Sequence, residues 1–292
     1  MPEGLILLDK PAGRTSFEAL GPVKRALATG KVGHAGTLDR FATGLLIVLT
    51  GKLTRLIRVF SDLDKRYVAR VHFGVETETL DPEGAVTARG AAPAAGRLRE
   101  IAGEFVGDIE QVPPAYSAVH VDGRRAYQRV RGGEQVTLDA RPVTVRSIEV
   151  SEYDPPEAVL DIRCGSGTYV RSLARDIAQR LGTVAHLTEL RRTAIGPFGV
   201  DEAVSPDEFV ATRDMVSASA FADRLESLQR VTIEDAVVGR VAHGATLSPE
   251  DVDATALDDG LVLLFTKDGQ LAAVTEKTGD RLKYVFVSVE QV

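Results

Sequence analysis

An aspartate lies in the middle of a glycine-rich stretch. Asp39 is flanked by Gly36 and Gly44, and His34 precedes it by five residues. Glycine lets a backbone approach a ligand closely, and a carboxylate can serve as a nucleophile or as a general base. An apolar run over 45–49 follows, so any reactive group here would stand on a loop set against a rigid strand. The loop is therefore the candidate site.

Other chemistries find little support. The loop lacks the G-x-x-x-x-G-K-[ST] and G-x-G-x-x-G spacings of phosphate and dinucleotide loops, and no G-x-S-x-G nucleophile elbow occurs. A loop aspartate commonly forms a turn or caps a backbone, so this plainer interpretation of Asp39 stays open on the loop alone. We expect no metal site, because the other histidines lack ligand spacing: His72, His120, His186 and His243.

The acidic net charge conceals a basic segment. The chain carries a net charge of −7, and its residues 201–292 hold 8 basic and 18 acidic side chains, whereas residues 10–70 hold 12 basic and 4 acidic ones. A local basic surface is what an RNA-binding protein requires. Charge alone leaves a solvated surface without a partner equally open.

Composition bounds the class of protein. With 292 residues, of which 44 % are hydrophobic, the chain is long enough for two globular domains. No apolar run approaches the roughly 20 residues of a membrane helix, and no secretory signal is visible at the N-terminus. The single cysteine, Cys164, cannot form an internal disulfide, so we expect a cytoplasmic protein.

Helices and strands are predicted around this loop. The T-x-x-E spacing of Thr15 and Glu18 indicates a capping box that begins a helix, which Gly21 and Pro22 kink or restart. Apolar residues at helical spacing predict a second helix over 169–181. Strands are predicted over 4–8, 45–49, 66–73, 143–150 and 158–164, and a loop over 84–96.

The chain changes character after about residue 200. A polar, acidic stretch leads to short apolar runs that are separated by turns containing glycine. Strands are predicted over 260–265, 271–274 and 284–289. This pattern favours a small β-rich domain appended to a larger one.

Six sequence blocks occur in order along residues 4–195. The first to consider surrounds the aspartate: Gly33-His34-x-Gly36-Thr37-Leu38-Asp39-x-x-Ala42-Thr43-Gly44. The others are 7–11 with Thr15-Ser16, Lys65-Arg66-Tyr67, 112–118, 165–173 and Leu190-Arg191-Arg192. Together they resemble the TruB family, the bacterial tRNA pseudouridine synthases that act on uridine 55, and the block around the aspartate resembles that family's catalytic motif. Six blocks in the same order are far more specific than any one of them.

The resemblance implies an α+β fold with two parts. A catalytic domain of pseudouridine synthase type, built on a mixed, largely antiparallel sheet, would span residues 1–228. A small β-rich, PUA-like RNA-binding domain would span 229–292, and part of 75–140 would be an insertion that contacts RNA. The implied activity is that of an isomerase that flips uridine 55 out of the T-loop of tRNA. It would need no cofactor or metal and would act as a monomer without an obligatory protein partner.

The resemblance also assigns roles to side chains. Asp39 would be the nucleophile, and Arg171 would be the ion-pair partner that keeps it ionised, since a neighbouring cation lowers the pKa of a carboxylate. Tyr67 would stack on the extruded base, and its phenol could also take the C5 proton. The implied substrate-binding residues are His34, Tyr67, Tyr169, Leu190 and Lys10.

Plainer interpretations of these residues stay open. Tyr67 lies on the apolar side of its alternating strand and would suit a core equally well. His34 could simply form hydrogen bonds within its loop, and Arg171 could be a surface arginine on an amphipathic helix. For Lys10, shaping the site and touching the substrate are equally open.

The loop departs from the family's usual pattern at three positions. The family has threonine where Ala35 stands, and Asp-Pro-Leu where Asp39-Arg40-Phe41 stands. Losing the proline frees the backbone just after the aspartate, and Arg40 adds a cation beside it. The departures change the backbone freedom and the charge beside the aspartate but leave the identity of the nucleophile unchanged.

Two other functions fit this pattern. One is the guide-RNA-dependent catalytic subunit of a pseudouridylating particle, and the other is a non-catalytic RNA chaperone that uses the same cleft. In each case basic side chains would contact the RNA backbone. The candidates are Lys24, Arg25, Lys31, Lys52, Arg55, Arg58, Arg124, Arg125 and Arg129, with Arg281 and Lys283 near the C-terminus.

Overall fold

The computed structural model describes residues 3–117, 119–121, 123–134 and 136–289. Ala118, in one of the matching blocks, and the side chains of Arg124 and Arg125 lie outside this description. Within the described residues, nine strands form one mixed sheet and four strands form a second, smaller sheet. Together with the helices on the large sheet, this confirms the predicted α+β class and the β-rich C-terminal part.

The strands follow one another through the whole described chain. In order they are β1 (Leu5–Lys10), β2 (Val32–Ala35), β3 (Thr43–Thr50), β4 (Lys65–Phe73), β5 (Val75–Thr77), β6 (Val86–Arg89), β7 (Gly107–Gln111), β8 (His120–Val121), β9 (Arg124–Arg125), β10 (Arg141–Asp154), β11 (Glu157–Cys164), β12 (Ala185–Ile195), β13 (Phe198–Gly199), β14 (Gln229–Thr232), β15 (Gly260–Phe265), β16 (Leu271–Thr278) and β17 (Arg281–Val287).

Helices are mostly short and lie between these strands. In order they are α1 (Ser16–Ala19), α2 (Gly21–Ala26), α3 (Ile57–Asp62), α4 (Ala95–Glu104), α5 (Ala126–Arg131), α6 (Val170–Arg180), α7 (Ala211–Asp214), α8 (Ala218–Asp223) and α9 (Asp235–Ala242). Single 3-10 turns cover Gly51–Leu56, Val200–Glu202, Pro206–Glu208 and Pro249–Val252.

The large sheet changes neighbours along one edge of β3. Its strands run in the order β1-β3-β12-β4-β11-β10-β7, while β2 also pairs with β3 and β13 with β12. On the side of β3 away from β1, β2 pairs antiparallel with residues 47–50, and β12 pairs parallel with Thr43 and Gly44. The segment 36–42 therefore leaves the sheet at the point where β12 replaces β2 beside β3.

Gly44 makes this parallel join possible. Its φ is +106°, and a Cβ built on it would lie 2.2 Å from the carbonyl oxygen of Arg192 on β12. An L side chain is strained at such a φ and would collide with backbone that cannot move aside. A glycine is therefore required where the strand after the candidate loop meets β12.

Burial follows the sequence patterns of the strands. The continuous apolar run of β3 is buried on both faces: Leu46 and Val48 pack toward α1 and α2, whereas Leu45, Ile47 and Leu49 pack toward α3 and α8. Such runs are typical of strands covered on both sides. Strand β4 alternates, as predicted, and its odd-numbered residues from Tyr67 to Phe73 pack under α4 and α6.

The C-terminal sheet shares a core with the large sheet. Its strands run in the order β14-β15-β16-β17. Leu263, Val274 and Phe286 on one face belong to the same buried cluster as Leu5 and Phe60. The opposite face has its own core beneath α9. The small sheet is thus joined to the large sheet through packed apolar side chains.

Most element predictions are confirmed, and one is corrected. Thr15 and Glu18 form the predicted capping box, and the helix restarts at Gly21. The segment 84–96 is not a plain loop: it contains β6 and the start of α4. Strand β6 forms a hairpin with β5 that satisfies its backbone although its side chains are mostly exposed, so the apolar pattern of a strand is missing from the sequence.

No helix among the described residues has both the length and the apolar composition needed to cross a membrane.

Changing Gly44 to alanine should destabilise the protein by about 3 kcal/mol or more, because backbone strain adds to an unavoidable collision. Gly269 is a matched control, since it also has a positive φ, +79°, but no atom lies within 4 Å of the place that a Cβ would take there. Alanine at 269 should cost only about 1 kcal/mol. Urea denaturation measures both, and equal losses would contradict the close approach.

Candidate active site

The loop that carries Asp39 is fixed at both ends in the sheet. It begins after Ala35 on β2 and ends at Thr43 on β3. Gly36, with φ of +75°, turns the chain away from the sheet. The loop can therefore present Asp39 without depending on its own regular structure.

Two tethers hold the backbone on either side of Asp39. Before it, the buried Ser16 hydroxyl accepts a hydrogen bond from the Leu38 amide at 2.9 Å and donates to the Leu38 carbonyl at 3.2 Å. After it, the Lys10 ammonium donates to the Arg40 carbonyl at 3.4 Å and to two nearer carbonyls. Lys10 is fully buried, and burial lowers its pKa to about 8.

Arg171 is the direct partner of Asp39. It lies in the first turn of α6, and only 4 % of its side chain is exposed. Its Nε lies 2.8 Å from Oδ2 of Asp39, and its Nη2 donates to Oδ1 at 3.1 Å. The same guanidinium donates to the carbonyls of Thr79 at 2.7 Å and Tyr116 at 3.0 Å. One side chain thus joins three segments that are distant in sequence.

A second carboxylate, Asp81, flanks this guanidinium. Its Oδ2 lies 3.4 Å from Nη1 of Arg171, and its Oδ1 accepts from the Thr79 hydroxyl at 2.5 Å and the Glu83 amide at 3.0 Å. Leu80, just before it, has a φ of +61°, a costly backbone conformation for leucine. Sequence reasoning missed Asp81 because Asp-Pro-Glu-Gly is typical of an ordinary turn.

The pKa of Asp39 lies above that of an ordinary aspartate. Burial is the main cause, and the charge of Asp81 adds to it, while the charge of Arg171 and its hydrogen bond act in the opposite direction. The resemblance implies an arginine that lowers this pKa. The arginine does act that way, but the loss of water around the carboxylate outweighs it.

A second buried guanidinium, that of Arg192, binds the backbone beside the Asp39 loop. It is 1 % exposed, its Nε donates to the Leu45 carbonyl at 2.8 Å, and its Nη2 donates to the Gly36 carbonyl at 2.8 Å. It therefore binds both ends of the Asp39 loop. In the sequence, Arg192 belongs to one of the matching blocks but was given no role. Its place in that block was the feature that could have marked it as a functional residue.

Tyr67 stands opposite Arg192 in the pairing of β4 with β12. It is 9 % exposed and packs in the same core cluster as Leu38 and Leu190. Burial raises the pKa of its phenol, and the charge of Arg192 opposes that rise. The phenol is therefore protonated at neutral pH.

The remaining predicted residues surround the loop at different depths. Tyr169 precedes α6, and its backbone exchanges hydrogen bonds with the Gln111 side chain at 2.8 and 3.2 Å. It lines a cavity of about 150 Å³ together with Gln111 and Val143. Leu190 is 7 % exposed in the core beside Tyr67.

His34 lies on β2 rather than in the loop. Among the described residues its buried Nδ1 has no hydrogen-bond partner. This atom therefore does not support the alternative in which His34 only forms hydrogen bonds within its loop. Burial and the charge of Arg192 lower its pKa, so the imidazole is neutral. Through the part of the chain that is described, no three histidine, cysteine or acidic side chains are grouped as metal ligands would be.

Comparison with known proteins gives consistent matches. Residues 24–170 match the TruB family pseudouridylate synthase N-terminal domain, and residues 171–233 match the tRNA pseudouridylate synthase B C-terminal domain. The tRNA pseudouridine synthase B of Arthrobacter sp. (strain FB24) is 40 % identical over 98 % of this chain and 97 % of its own. That of Thermobifida fusca (strain YX) is 40 % identical over 98 % and 99 %.

Solved structures agree with these matches. A chain in a Cbf5–Nop10–Gar1 complex superposes with a TM-score of 0.76 and 29 % identity, covering 99 % of this chain and 85 % of that one. The fold is thus that of a pseudouridine synthase, an isomerase. The chain belongs to the TruB family of pseudouridylate synthases.

Replacing Arg192 by lysine should lower the free energy of unfolding by about 2–3 kcal/mol, because an ammonium cannot reproduce the two fixed donor positions, Nε and Nη2, from which the guanidinium reaches the Leu45 and Gly36 carbonyls, and a buried acceptor loses its bond. The neighbouring Arg191→Lys is the control: that side chain is 42 % exposed and pairs with Asp9, so the change should cost less than about 1 kcal/mol. Thermal or urea unfolding compares them. Similar losses in both variants would show that Arg192 does not hold the loop.

Proposed function

We propose that this chain isomerises uridine 55 in the T-loop of tRNA to pseudouridine, with Asp39 as the nucleophile. The observation that carries the proposal is the contact of Asp39 with Arg171, at 2.8 Å, in a loop anchored to the sheet. The carboxylate keeps 38 % of its side-chain surface exposed while the guanidinium behind it is buried. The relatives named above, which cover almost the whole chain, are tRNA pseudouridine synthases B.

The chemistry suits a lone carboxylate. The bond from ribose C1′ to uracil N1 breaks, a bond from C1′ to C5 forms, C5 gives up its proton and N1 gains one. Nothing is oxidised or reduced, so the reaction needs neither a redox cofactor nor an energy donor. Asp39 would hold the reacting fragment while the base rotates, and Arg171 would favour its ionised form.

The other site residues would receive and orient the extruded uridine. Flipping removes a base from its stack, and an aromatic ring replaces part of the lost interaction. Of the two roles predicted for Tyr67, the raised pKa of its phenol favours stacking, because a protonated phenol is a poor base. Tyr169, Leu190 and His34 would line the pocket. The hydrogen bonds of Lys10 favour a positioning role for it.

RNA would be bound through its phosphates over the basic surface of residues 10–70. Exposed candidates there are Arg25, Lys31, Lys52, Arg55 and Arg58. We propose that residues 229–292 act as a PUA-like RNA-binding domain, with Arg281 and Lys283 exposed on β17. Part of 75–140 would also contact RNA. Each ionic contact with a phosphate would make the affinity for RNA depend on the salt concentration. The protein would act as a monomer.

A single-turnover assay on an unmodified tRNA transcript tests the activity. The purified chain alone should convert one uridine, and a transcript with cytidine at position 55 should give no product. Asp39→Asn should abolish product and leave tRNA binding within about threefold, whereas Asp64→Asn, which removes a carboxylate that pairs with Arg146 and Arg163, should retain activity. Failure without added guide RNA or partner proteins would favour the guide-dependent alternative, and product from Asp39→Asn would refute the nucleophile.

The pH dependence of that single-turnover rate should report the ionisation of Asp39. Because its pKa is raised, the rate should fall on the acid side at a pH above the ordinary aspartate value of about 3.9. Arg171→Gln removes the charge that opposes the rise, so the acid limb should move to higher pH. The limb position does not depend on the amount of folded enzyme.

A matched control for this shift lies one turn further along α6. Arg175 pairs with Asp176 rather than with Asp39, so Arg175→Gln should leave the acid limb in place. An unchanged limb in Arg171→Gln would show that Arg171 does not tune the carboxylate.

A further inference from the structure

An aromatic side chain is exposed next to the candidate active site. Phe17, on α1, is 70 % exposed, and the other large apolar side chains exposed in the described part are the valines 86, 106, 112 and 210. Phenylalanine is among the residues most often buried in folded proteins. A ring left in water forgoes most of the hydrophobic stabilisation that its burial would give, so a ligand that covers it would gain that stabilisation.

The helix that carries Phe17 is tied to the segment that carries Asp39. The stretch 13–17 is tied to the stretch 38–40 at two points: Arg40 exchanges hydrogen bonds with the backbone of Gly13, and Ser16 exchanges them with the backbone of Leu38. Phe17 directly follows the second of these ties. The start of α1, to which Phe17 belongs, is therefore a neighbour of the loop that an RNA would have to reach.

Positive charge accompanies the ring. The ammonium of Lys24 lies 4.2 Å from the centroid of the Phe17 ring, a cation–π contact that restrains both side chains. Arg14 contributes less net charge, because it pairs with Asp207 at 2.9 Å. Lys24 thus brings a cation to the aromatic surface.

Arg40 adds a second cation with a fixed orientation. Its Nε donates to the Gly13 carbonyl at 2.9 Å, and the Gly13 amide donates back to the Arg40 carbonyl at 2.9 Å. One of the five guanidinium donors is used in this contact, so the Nη groups retain donors for a phosphate. Arg40 directly follows Asp39 in the chain, so this cation lies next to the candidate nucleophile in sequence.

We propose that Phe17, Lys24 and Arg40 form a second nucleotide subsite at the rim of the active site. The Phe17 ring stacks on a nucleobase of the T-loop other than the reacting uridine, and the two cations bind the phosphates beside it. An aromatic face flanked by cations is the arrangement with which proteins bind single-stranded or opened nucleic acid. The identity of the ligand as RNA rests on the function proposed above.

Substitution of Phe17 tests the stacking. Phe17→Ala should weaken binding of an unmodified tRNA transcript about tenfold, the effect of losing one base–aromatic stack, whereas Phe17→Tyr should bind like the unaltered protein. The single-turnover rate at saturating tRNA should stay within about twofold. The fold should tolerate these changes because the ring is mostly in solvent. Equal affinity of the alanine and unaltered proteins would overturn the proposal.

A tryptophan at this position provides a direct readout. The chain contains no tryptophan, so Phe17→Trp introduces a single fluorophore whose emission should be quenched when a base stacks on it. Glu152→Trp is the control: Glu152 is exposed on β10, which lies beside β7 at the opposite end of the large sheet from β1, and it is outside the segments proposed to contact RNA. Emission at 17 that tRNA leaves unchanged, or that changes no more than at 152, would contradict the subsite.

Abasic substitution identifies the stacked nucleotide. Removing single bases from the T-loop of the transcript should reveal one position at which the unaltered protein and Phe17→Ala bind equally, because the two changes delete the same contact. If the penalty of Phe17→Ala persists with every abasic transcript, the ring does not stack on a T-loop base and the proposal fails. An unaltered protein that makes no pseudouridine would instead refute the proposed function, so the two failures are distinct.

Discussion

A buried guanidinium shared between two carboxylates and two backbone carbonyls holds the candidate site together. Arg171 is almost fully enclosed, Asp81 beside it is buried as well, and Asp39 keeps one side open to solvent. Breaking a buried ion pair leaves an uncompensated charge, which costs about 3–5 kcal/mol, so each member constrains the others. The outcome is a carboxylate that Arg171 binds on its buried side and that is accessible to solvent on its other side, as a nucleophile requires.

The site is built mainly on buried cations. Lys10, Lys65 and Arg192 are all buried, and the acceptors that the described residues give them are backbone carbonyls rather than carboxylates. Burial lowers the pKa of both lysines to about 8. Carbonyl dipoles satisfy these donors without cancelling their charge, so positive potential remains around the loop. That potential would favour a substrate that carries phosphate groups.

The large sheet provides the rigidity for this arrangement. The Asp39 loop leaves the sheet at the change of partner along the edge of β3, and Gly44 allows β12 to approach so closely that Arg192 reaches both loop ends. Strands β1 and β3 are covered on both faces, and one of those faces packs against the C-terminal sheet. Apolar packing therefore fixes the frame, and hydrogen bonds to backbone fix the loop within it.

The sequence by itself determined the elements and the family. Apolar alternation predicted β4, and the T-x-x-E spacing predicted the start of α1. Six ordered blocks indicated the family and its α+β fold. These signals can be recognised without a structure because each lies in a short stretch of sequence or in the order of such stretches along the chain. The sequence also named Asp39 and Arg171 as candidates, although their catalytic roles stay predictions. Tertiary structure alone decided how the loop is held. Asp81, which lies in an ordinary turn motif, reaches Arg171 only after folding, and the raised pKa of Asp39 depends on how much water the surrounding segments exclude. Burial and contacts between distant residues arise from three-dimensional packing, which no local spacing records.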